Sequence, residues 1–380
     1  MNILFLATWY PNRYDEMDGL FVRKHAQAVA RQEGNSVDVI YICCRDEVTH
    51  NELTEVTIDG VRELTLYHPP FNGAKEGFDA VRNIWHEWRK RHGMLPDVVH
   101  LNVISAKLGL IARYLKCRHH IPYVITEHWS GYLPENGNFK GCGQVLSARW
   151  LARGASAIMP VSDRLMSAMK GHKLKCRHWQ VVNNVVDDFF YSAVEKEPHS
   201  HFRFLHVSCF DDKPKNVMGI VDAIAILASL RSDFELMMVG SGPDWQRCVD
   251  SATQKGLISS GIVTFVGLCT PQQVKEQMEA ADCFLLFSNY ENAPVVLSES
   301  LAVGLPIVST PAGTAMEIVT ERVGELVPFC DTQALAAAMS RMIDNHLQYS
   351  PDYIRSLSHS YSFDAVGRQY TDIYRKALGW

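Results

Sequence analysis

The sequence holds 10 cysteines but no Cys-x-x-Cys pair. Apart from the adjacent Cys43 and Cys44 they stand singly, which excludes a zinc ribbon and a dithiol redox motif. No apolar run approaches the ~18 residues that a membrane span requires. No low-complexity tract, coiled-coil heptad or internal repeat is present. Basic charge is not in excess: 37 Lys and Arg stand against 42 Asp and Glu, net −5, which argues against a general nucleic-acid binder. What remains is ordinary for a folded chain. Hydrophobic residues make up 47% and charged residues 21%, so disorder is excluded. At 380 residues the chain is too long for one ordinary core and fits two domains of ~190 residues. A core of that size needs no disulfides, so reduced thiols and a cytoplasmic setting are expected. Residues 1–7 lack a basic stretch, and their apolar run is broken by Trp9, Tyr10 and Pro11. They read as a first buried strand, not a signal peptide.

The charge is unevenly spread. Residues 81–178 carry 16 basic and 5 acidic side chains, net +11, whereas residues 201–380 carry 13 and 20, net −7. Within the cationic stretch, Arg82, Arg89, Lys90 and Arg91 interleave with Trp85 and Trp88 on one helical segment. Those residue types suit a membrane-surface patch. A solvated charged face is the alternative.

Short apolar runs alternate with amphipathic stretches. Strands are expected at residues 3–7, 36–43, 98–102, 122–126 and 157–161, with a helix over 20–32. The chain turns polar from Tyr191 to Phe202, through Glu195, Lys196, Glu197 and Pro198, which marks a linker. Beyond it the alternation restarts: strands at 203–207, 235–239, 262–266, 283–287 and 306–309, helices at 218–230, 271–280 and 294–303. This βα pattern predicts an α/β protein of two doubly wound, Rossmann-like domains. The expected domains are 1–195 and 196–362, with a closing helix over 363–380. Ligands of such sheets bind beyond the carboxyl ends of the strands, which directs attention to the loops there.

The most informative loop runs from Ser288 to Glu299. A strand ends before it, and Pro294 suits the first turn of the following helix. Free N–H groups at that helix start favour an anion such as a diphosphate. Glu291 lies in the loop and Glu299 on the helix. A carboxylate accepts two hydrogen bonds at once, so Glu299 suits the paired hydroxyls of a ribose. On spacing alone, a capping Glu291 and a solvent-facing Glu299 remain the alternative.

Glu291 to Glu299 followed by Ser-Leu-Ala-Val-Gly-Leu-Pro-Ile-Val-Ser-Thr resembles the Glu-(seven residues)-Glu signature of retaining glycosyltransferase family 4. Met238-Val-Gly-Ser-Gly-Pro resembles its Val-Gly-x-Gly-Pro loop, and Val263-Thr-Phe-Val-Gly267 its Val-x-Phe-x-Gly. Asn184-Val-Val-Asp187 is similar to its Asn-Gly-Val-Asp turn, and Trp9-Tyr-Pro with Asp18-Gly19 to its first-strand loop. The resemblance implies the GT-B fold: two Rossmann-like domains facing across a cleft, the final helix crossing back to the first domain. It implies transfer of a sugar, with retention, from a nucleotide-diphosphate sugar to a glycan or lipid-linked acceptor. Glu291 would contact the donor sugar, Glu299 the ribose and amides near Val295 the diphosphate, with Asn292 also among the donor-binding residues. Lys215 would neutralise the leaving diphosphate, where negative charge builds as the glycosidic bond breaks. Gly19 would let backbone approach the phosphates, and His128 would hydrogen-bond the donor sugar near the acceptor. Gly267 and Leu268 lie in a loop whose backbone meets the base. Taken alone, Lys215 is also readable as a solvated loop lysine, Gly19 as a turn glycine and His128 as a structural histidine, with Glu127 the lesser candidate beside it.

The chain departs from the pattern at Val207-Ser-Cys209-Phe210, where the family commonly carries an arginine on the donor phosphate. The usual Lys-Gly is Lys215-Asn216. No Asp-x-Asp motif is present, so no metal and no cofactor are expected, with Lys215 and a helix terminus in the place of a divalent ion. A cytoplasmic protein touching the inner face of an anionic membrane through residues 81–178 is expected, and no nucleic-acid partner. Competing readings are a dinucleotide-dependent oxidoreductase, a silent sugar-binding protein, and an epimerase or phosphorylase of the same fold. For the first, Gly240-Ser-Gly242-Pro-Asp-Trp245 puts a tryptophan where the third glycine belongs.

Overall fold

The computed structural model describes residues 1–192 and 199–380. The chain forms two compact units, residues 1–185 with 363–380, and residues 186–362. The division falls upstream of the polar stretch expected as the linker. Glu195 to Pro198, and with them the expected boundary at 195, lie outside the described residues.

The first unit runs β1 (Asn2–Ala7), α1 (Leu20–Ala30), β2 (Ser36–Cys44), β3 (Glu52–Ile58), β4 (Val61–His68), α2 (Ala74–His92) and β5 (Val98–Asn102). It continues with α3 (Ala106–His119), β6 (Tyr123–Glu127), α4 (Cys142–Gly154), β7 (Ile158–Pro160) and α5 (Asp163–Gly171). Its seven described strands order as β3-β4-β2-β1-β5-β6-β7. All pair in parallel except β3 with β4. Every residue of β5 and β6 is buried, as expected where helices cover both faces of a parallel sheet. The β3–β4 hairpin is an addition to the expected alternation. Ile58 pairs with Val61, leaving Asp59-Gly60 as a two-residue turn with φ of 47° and 81°. Positive φ at both positions is the turn whose twist matches the strands it joins.

The second unit runs β8 (Phe202–Ser208), α6 (Asp212–Lys215), α7 (Val217–Ala228), β9 (Phe234–Gly240), α8 (Trp245–Gln254), β10 (Val263–Gly267) and α9 (Pro271–Ala280). Next come β11 (Cys283–Leu286), α10 (Val295–Val303), β12 (Ile307–Ser309), α11 (Ala315–Ile318), β13 (Gly324–Leu326), α12 (Thr332–Asn345) and α13 (Pro351–Ser358). Its parallel sheet orders β10-β9-β8-β11-β12-β13. The expected start of α10 at Pro294 is corrected by one residue. Pro294 is the N-cap, its φ of −67° and ψ of 114° leaving it extended, and the helix opens at Val295.

The last helix, α14 (Phe363–Leu378), belongs to the first unit. Phe363, Val366, Tyr370, Ile373 and Tyr374 recur at helical spacing and are all buried, in one cluster with Val22, Ala26 and Val29 of α1.

The pairing of Trp85 and Trp88 with the α2 cations as a membrane patch is corrected. Both tryptophans are buried with Ala80, Val81 and Ile84, and the Trp88 indole N–H donates to Asp38 at 3.2 Å. Positions 81, 84, 85 and 88 share one helix face, which packs inward, whereas Arg82 and Lys90 are exposed and Arg89 lies 6.0 Å from the Trp85 ring. Among the described residues, no helix is long and apolar enough to cross a membrane.

Candidate functional site

In the second unit the loop between β11 and α10 is tied to the loop after β8. The Lys215 ammonium donates to Glu291 Oε1 at 2.5 Å, and the Ser288 hydroxyl donates to the same oxygen at 2.8 Å. The side chains of Lys215 and Glu291 are only 17% and 11% exposed. Burial pushes the ammonium pKa down, but the Glu291 carboxylate outweighs it, so the net shift is upward and the lysine stays charged. Two backbone-level contacts fix the pairing: Asn289 N–H donates to Pro214 O at 2.7 Å, and Asn289 Nδ2 to Lys213 O at 3.0 Å. A Cβ on Gly313, at φ 57°, would sit 2.5 Å from Asn292 O and 2.8 Å from Glu291 Cβ, so only glycine fits behind that loop. Beneath the site His206 is buried. Its pKa is pushed down to about 4 by burial and by Lys215, against the opposing effect of the Leu285 carbonyl, so it is neutral.

Val295 opens α10, presenting the first amides of the helix; Asn292 and Glu299 are half-buried on the same loop and helix. This brings Lys215, Glu291, Asn292, Val295 and Glu299 into one segment of structure. Gly267 and the exposed Leu268 lie at the end of β10, which β9 and β8 separate from β11. Cys209, in place of the family arginine, is exposed on the loop after β8. Trp245 packs against Phe210 at 4.7 Å and Phe265 at 5.3 Å, an aromatic filling where a dinucleotide fingerprint needs a bare backbone.

In the first unit, Gly19 at φ 62° precedes α1, and a Cβ there would lie 2.4 Å from Trp9 C. Glycine is therefore required for the loop after β1 to pass that close. His128 follows β6 and is buried, its ring 4.4 Å from Phe21 and 5.3 Å from His25, both on α1. Burial, then His25 and His100, hold its pKa well below the usual imidazole value, so the ring is neutral.

Two features here escape a reading of single motifs. Glu127 is buried and accepts from Ile104 N–H at 3.1 Å, from His128 and Trp129 N–H at 3.0 Å, and from Tyr132 OH at 3.4 Å. It staples two loops together; burial raises its pKa to about 7 although every one of those donors opposes the rise. Behind His128 runs a buried chain of polar contacts from α14. Tyr370 OH lies 3.1 Å from His25 Nδ1 and 3.2 Å from Thr126 Oγ1, and His100 bridges Thr126 and Tyr374 at 2.6 Å each. Among the described residues, no three His, Cys, Asp or Glu side chains gather as metal ligands.

Residues 187–355 match the family model described as glycosyl transferases group 1, and residues 21–184 that of the glycosyl transferase 4-like domain. The chain is 32% identical over 160 residues to the amylovoran biosynthesis glycosyltransferase AmsK of Erwinia amylovora, covering 40% of this chain and 39% of that protein. It therefore spans about two-fifths of AmsK. It is 23% identical to the putative teichuronic acid biosynthesis glycosyltransferase TuaC of Bacillus subtilis, covering 90% and 89%. Sucrose-phosphate synthase from Thermosynechococcus elongatus superposes with a TM-score of 0.76 at 17% identity, over 100% of this chain and 99% of that one. Anabaena HepE in complex with UDP gives 0.71 at 18%, over 99% and 100%. With each unit matched by its own family model, the chain belongs to the glycosyltransferases, group 1 and 4-like, and shares the GT-B fold of such structures.

Proposed function

We propose that the protein transfers a sugar, with retention, from a nucleotide-diphosphate sugar to a glycan or lipid-linked acceptor during synthesis of a polysaccharide or cell-surface glycan. The observation that carries this reading is the charged Lys215 held against Glu291 at the start of α10. The donor diphosphate would lie between the Lys215 ammonium and the amides near Val295. Glu299 would take the ribose hydroxyls, Gly267 and Leu268 the base, and Glu291 and Asn292 the sugar. By the family resemblance, Gly19 and His128 of the first unit also have roles toward the donor. As the acceptor hydroxyl attacks C1, the bond from C1 to the diphosphate oxygen breaks, and that oxygen takes the hydroxyl proton. The protein's part is positioning and electrostatics. No resident cofactor or metal has a role in this scheme. AmsK and TuaC, named for amylovoran and teichuronic acid biosynthesis, favour this class of product.

The acceptor side carries a face suited to an anionic membrane surface, which would place the protein at the inner face of a membrane. Leu110 and Tyr114 on α3 and Leu146 and Trp150 on α4 are exposed. These two helices hold Lys107, Arg113, Lys116, Arg118, Arg149 and Arg153 but no Asp or Glu. A panel of UDP, GDP and ADP sugars tests the donor: a true donor raises the unfolding temperature and is consumed, and Glu291→Ala and Lys215→Ala each lower turnover sharply. Unchanged activity in both variants overturns the site assignment. Flotation tests the face: recruitment to anionic vesicles and not to neutral ones is expected, and equal binding to both rejects it.

A further inference from the structure

At the end of the first sheet opposite His128, three helices of the first unit finish around a cavity of about 540 Å3. Ser156 marks the level, since its N–H donates to the carbonyl of Tyr123, the first residue of β6. The lining includes Lys116 of α3, Arg153 of α4, Lys376 of α14, and Arg177 and His178 of the chain leading away from α5. No Asp or Glu lines the cavity, and among the described residues none of these Lys and Arg side chains makes an ion pair.

One ordinary explanation is that cations sit at helix ends to complement the dipole. Lys116, Arg153 and Lys376 are in last turns, and the Lys116 ammonium donates to Gly154 O at 2.5 Å. Three helix ends supply about half a negative charge each, roughly −1.5 in all. Four full positive charges exceed that, and Arg177 belongs to no helix end. The crowding is felt: burial, followed by Arg113 and Arg177, pulls the Lys116 pKa below its usual value. An uncompensated cationic cavity of small-molecule size calls for an anion. Arginine forks and lysine ammoniums together match the several acceptor oxygens and the double charge of a phosphate monoester.

We propose that this cavity is a second binding site, taking a phosphate monoester group between Arg153, Arg177, Lys116 and Lys376. It lies at the opposite end of the sheet from His128, takes only Lys116 and Arg153 from the α3 and α4 cations, and does not depend on the donor assignment. The group has two possible carriers, a free phosphorylated metabolite or a phosphatidic acid headgroup. Calorimetric titration of the full chain with inorganic phosphate and with glycerol 3-phosphate is expected to give saturable binding. Arg153→Glu with Arg177→Glu weakens it by about tenfold or more. Both arginines are exposed, so the reversal spares the core. Lys90→Glu with Lys140→Glu makes the same charge change at exposed positions outside the lining and leaves binding intact. Flotation on phosphatidylcholine vesicles with and without phosphatidic acid separates the carriers. Recruitment lost in the Arg153/Arg177 variant, and competed by glycerol 3-phosphate, assigns the headgroup; recruitment unchanged in that variant assigns the free metabolite. Absence of saturable binding to either soluble phosphate, or equal weakening by the two charge-reversed pairs, overturns the site.

Discussion

The Lys215 ammonium lies 2.5 Å from the Glu291 carboxylate, although 76 positions separate the two in the chain. Its raised pKa rests on that carboxylate, because burial alone acts in the opposite direction. The sign of the linkage follows: the stabilisation is complete below the ordinary lysine value of 10.5 and is lost as pH rises through the higher folded value. Glu291→Gln leaves burial opposed only by the weaker pulls of Cys209 and Asp211. Affinity for the preferred nucleoside diphosphate is then expected to fall at a lower pH than in the wild-type protein. Lys215→Ala is expected to reduce kcat by about 10²- to 10³-fold, the loss typical of one electrostatic donor to a developing oxyanion. Titrations of diphosphate affinity against pH check the first outcome. An alkaline limit unmoved in Glu291→Gln rejects the coupling.

Gly313 separates position from stability. Gly313→Ala places a methyl 2.5 Å from Asn292 O at a φ of 57°, so the loop carrying Glu291 must move. Strain of this kind costs about 1–3 kcal/mol. Turnover is expected to drop more than the melting temperature explains, through displacement of Glu291. Gly261→Ala is the matched comparison: its φ is 75° but nothing lies within 4 Å of the added Cβ. It is expected to lower stability by about 1 kcal/mol with unaltered turnover. Equal kcat in the two variants speaks against the displacement.

The βα alternation that sets both sheets was legible because buried parallel strands leave continuous apolar runs such as Cys283–Leu286. The β3–β4 hairpin carried a readable signal in Asp59-Gly60 between alternating runs, and looking only for βα units passes over it. Trp85 and Trp88 were misread because residue types were taken together without asking which helix face each occupies. The roles of Lys215, Glu291 and His128 came from the family resemblance, and the structure adds what spacing withholds. Ser288 and Gly313 reach Glu291 from its own loop and from the loop after β12. Tyr370 reaches His25 from 345 positions away. No periodicity encodes contacts of that range.

Glu127 gives a pH dependence of defined sign. Its folded pKa of about 7 exceeds the ordinary value of 4.5, so its contribution to stability is fully present below 4.5 and is lost as pH rises through 7. The shift corresponds to about 3 kcal/mol across that window. Glu127→Gln removes the titration. The difference in denaturant-derived stability between wild type and variant should therefore change by an amount of that order between pH 5 and pH 8. A constant difference over this range contradicts the buried carboxyl.

The hydroxyl of Tyr370 is the link by which α14 reaches the residues behind His128. It is 3.1 Å from His25 Nδ1 and 3.2 Å from Thr126 Oγ1, and all three side chains are buried. Burial pushes the His25 pKa down to about 4 in spite of its contact with the Asn183 carbonyl, so the ring is neutral at pH 7. Tyr370→Phe keeps the ring packing of α14 against α1 but removes one partner from each of the other two groups. Leaving buried polar atoms short of a partner costs about 1–3 kcal/mol. Lower thermal stability is expected, with faster amide exchange in α14 and at the end of β6 and unchanged exchange in α7 and β9 of the second unit. Tyr353→Phe, which alters a half-buried tyrosine of α13, should leave the exchange of α14 as it is. If Tyr370→Phe also leaves α14 exchange unaltered, the helix is held by its apolar face alone and the polar chain adds nothing to its docking.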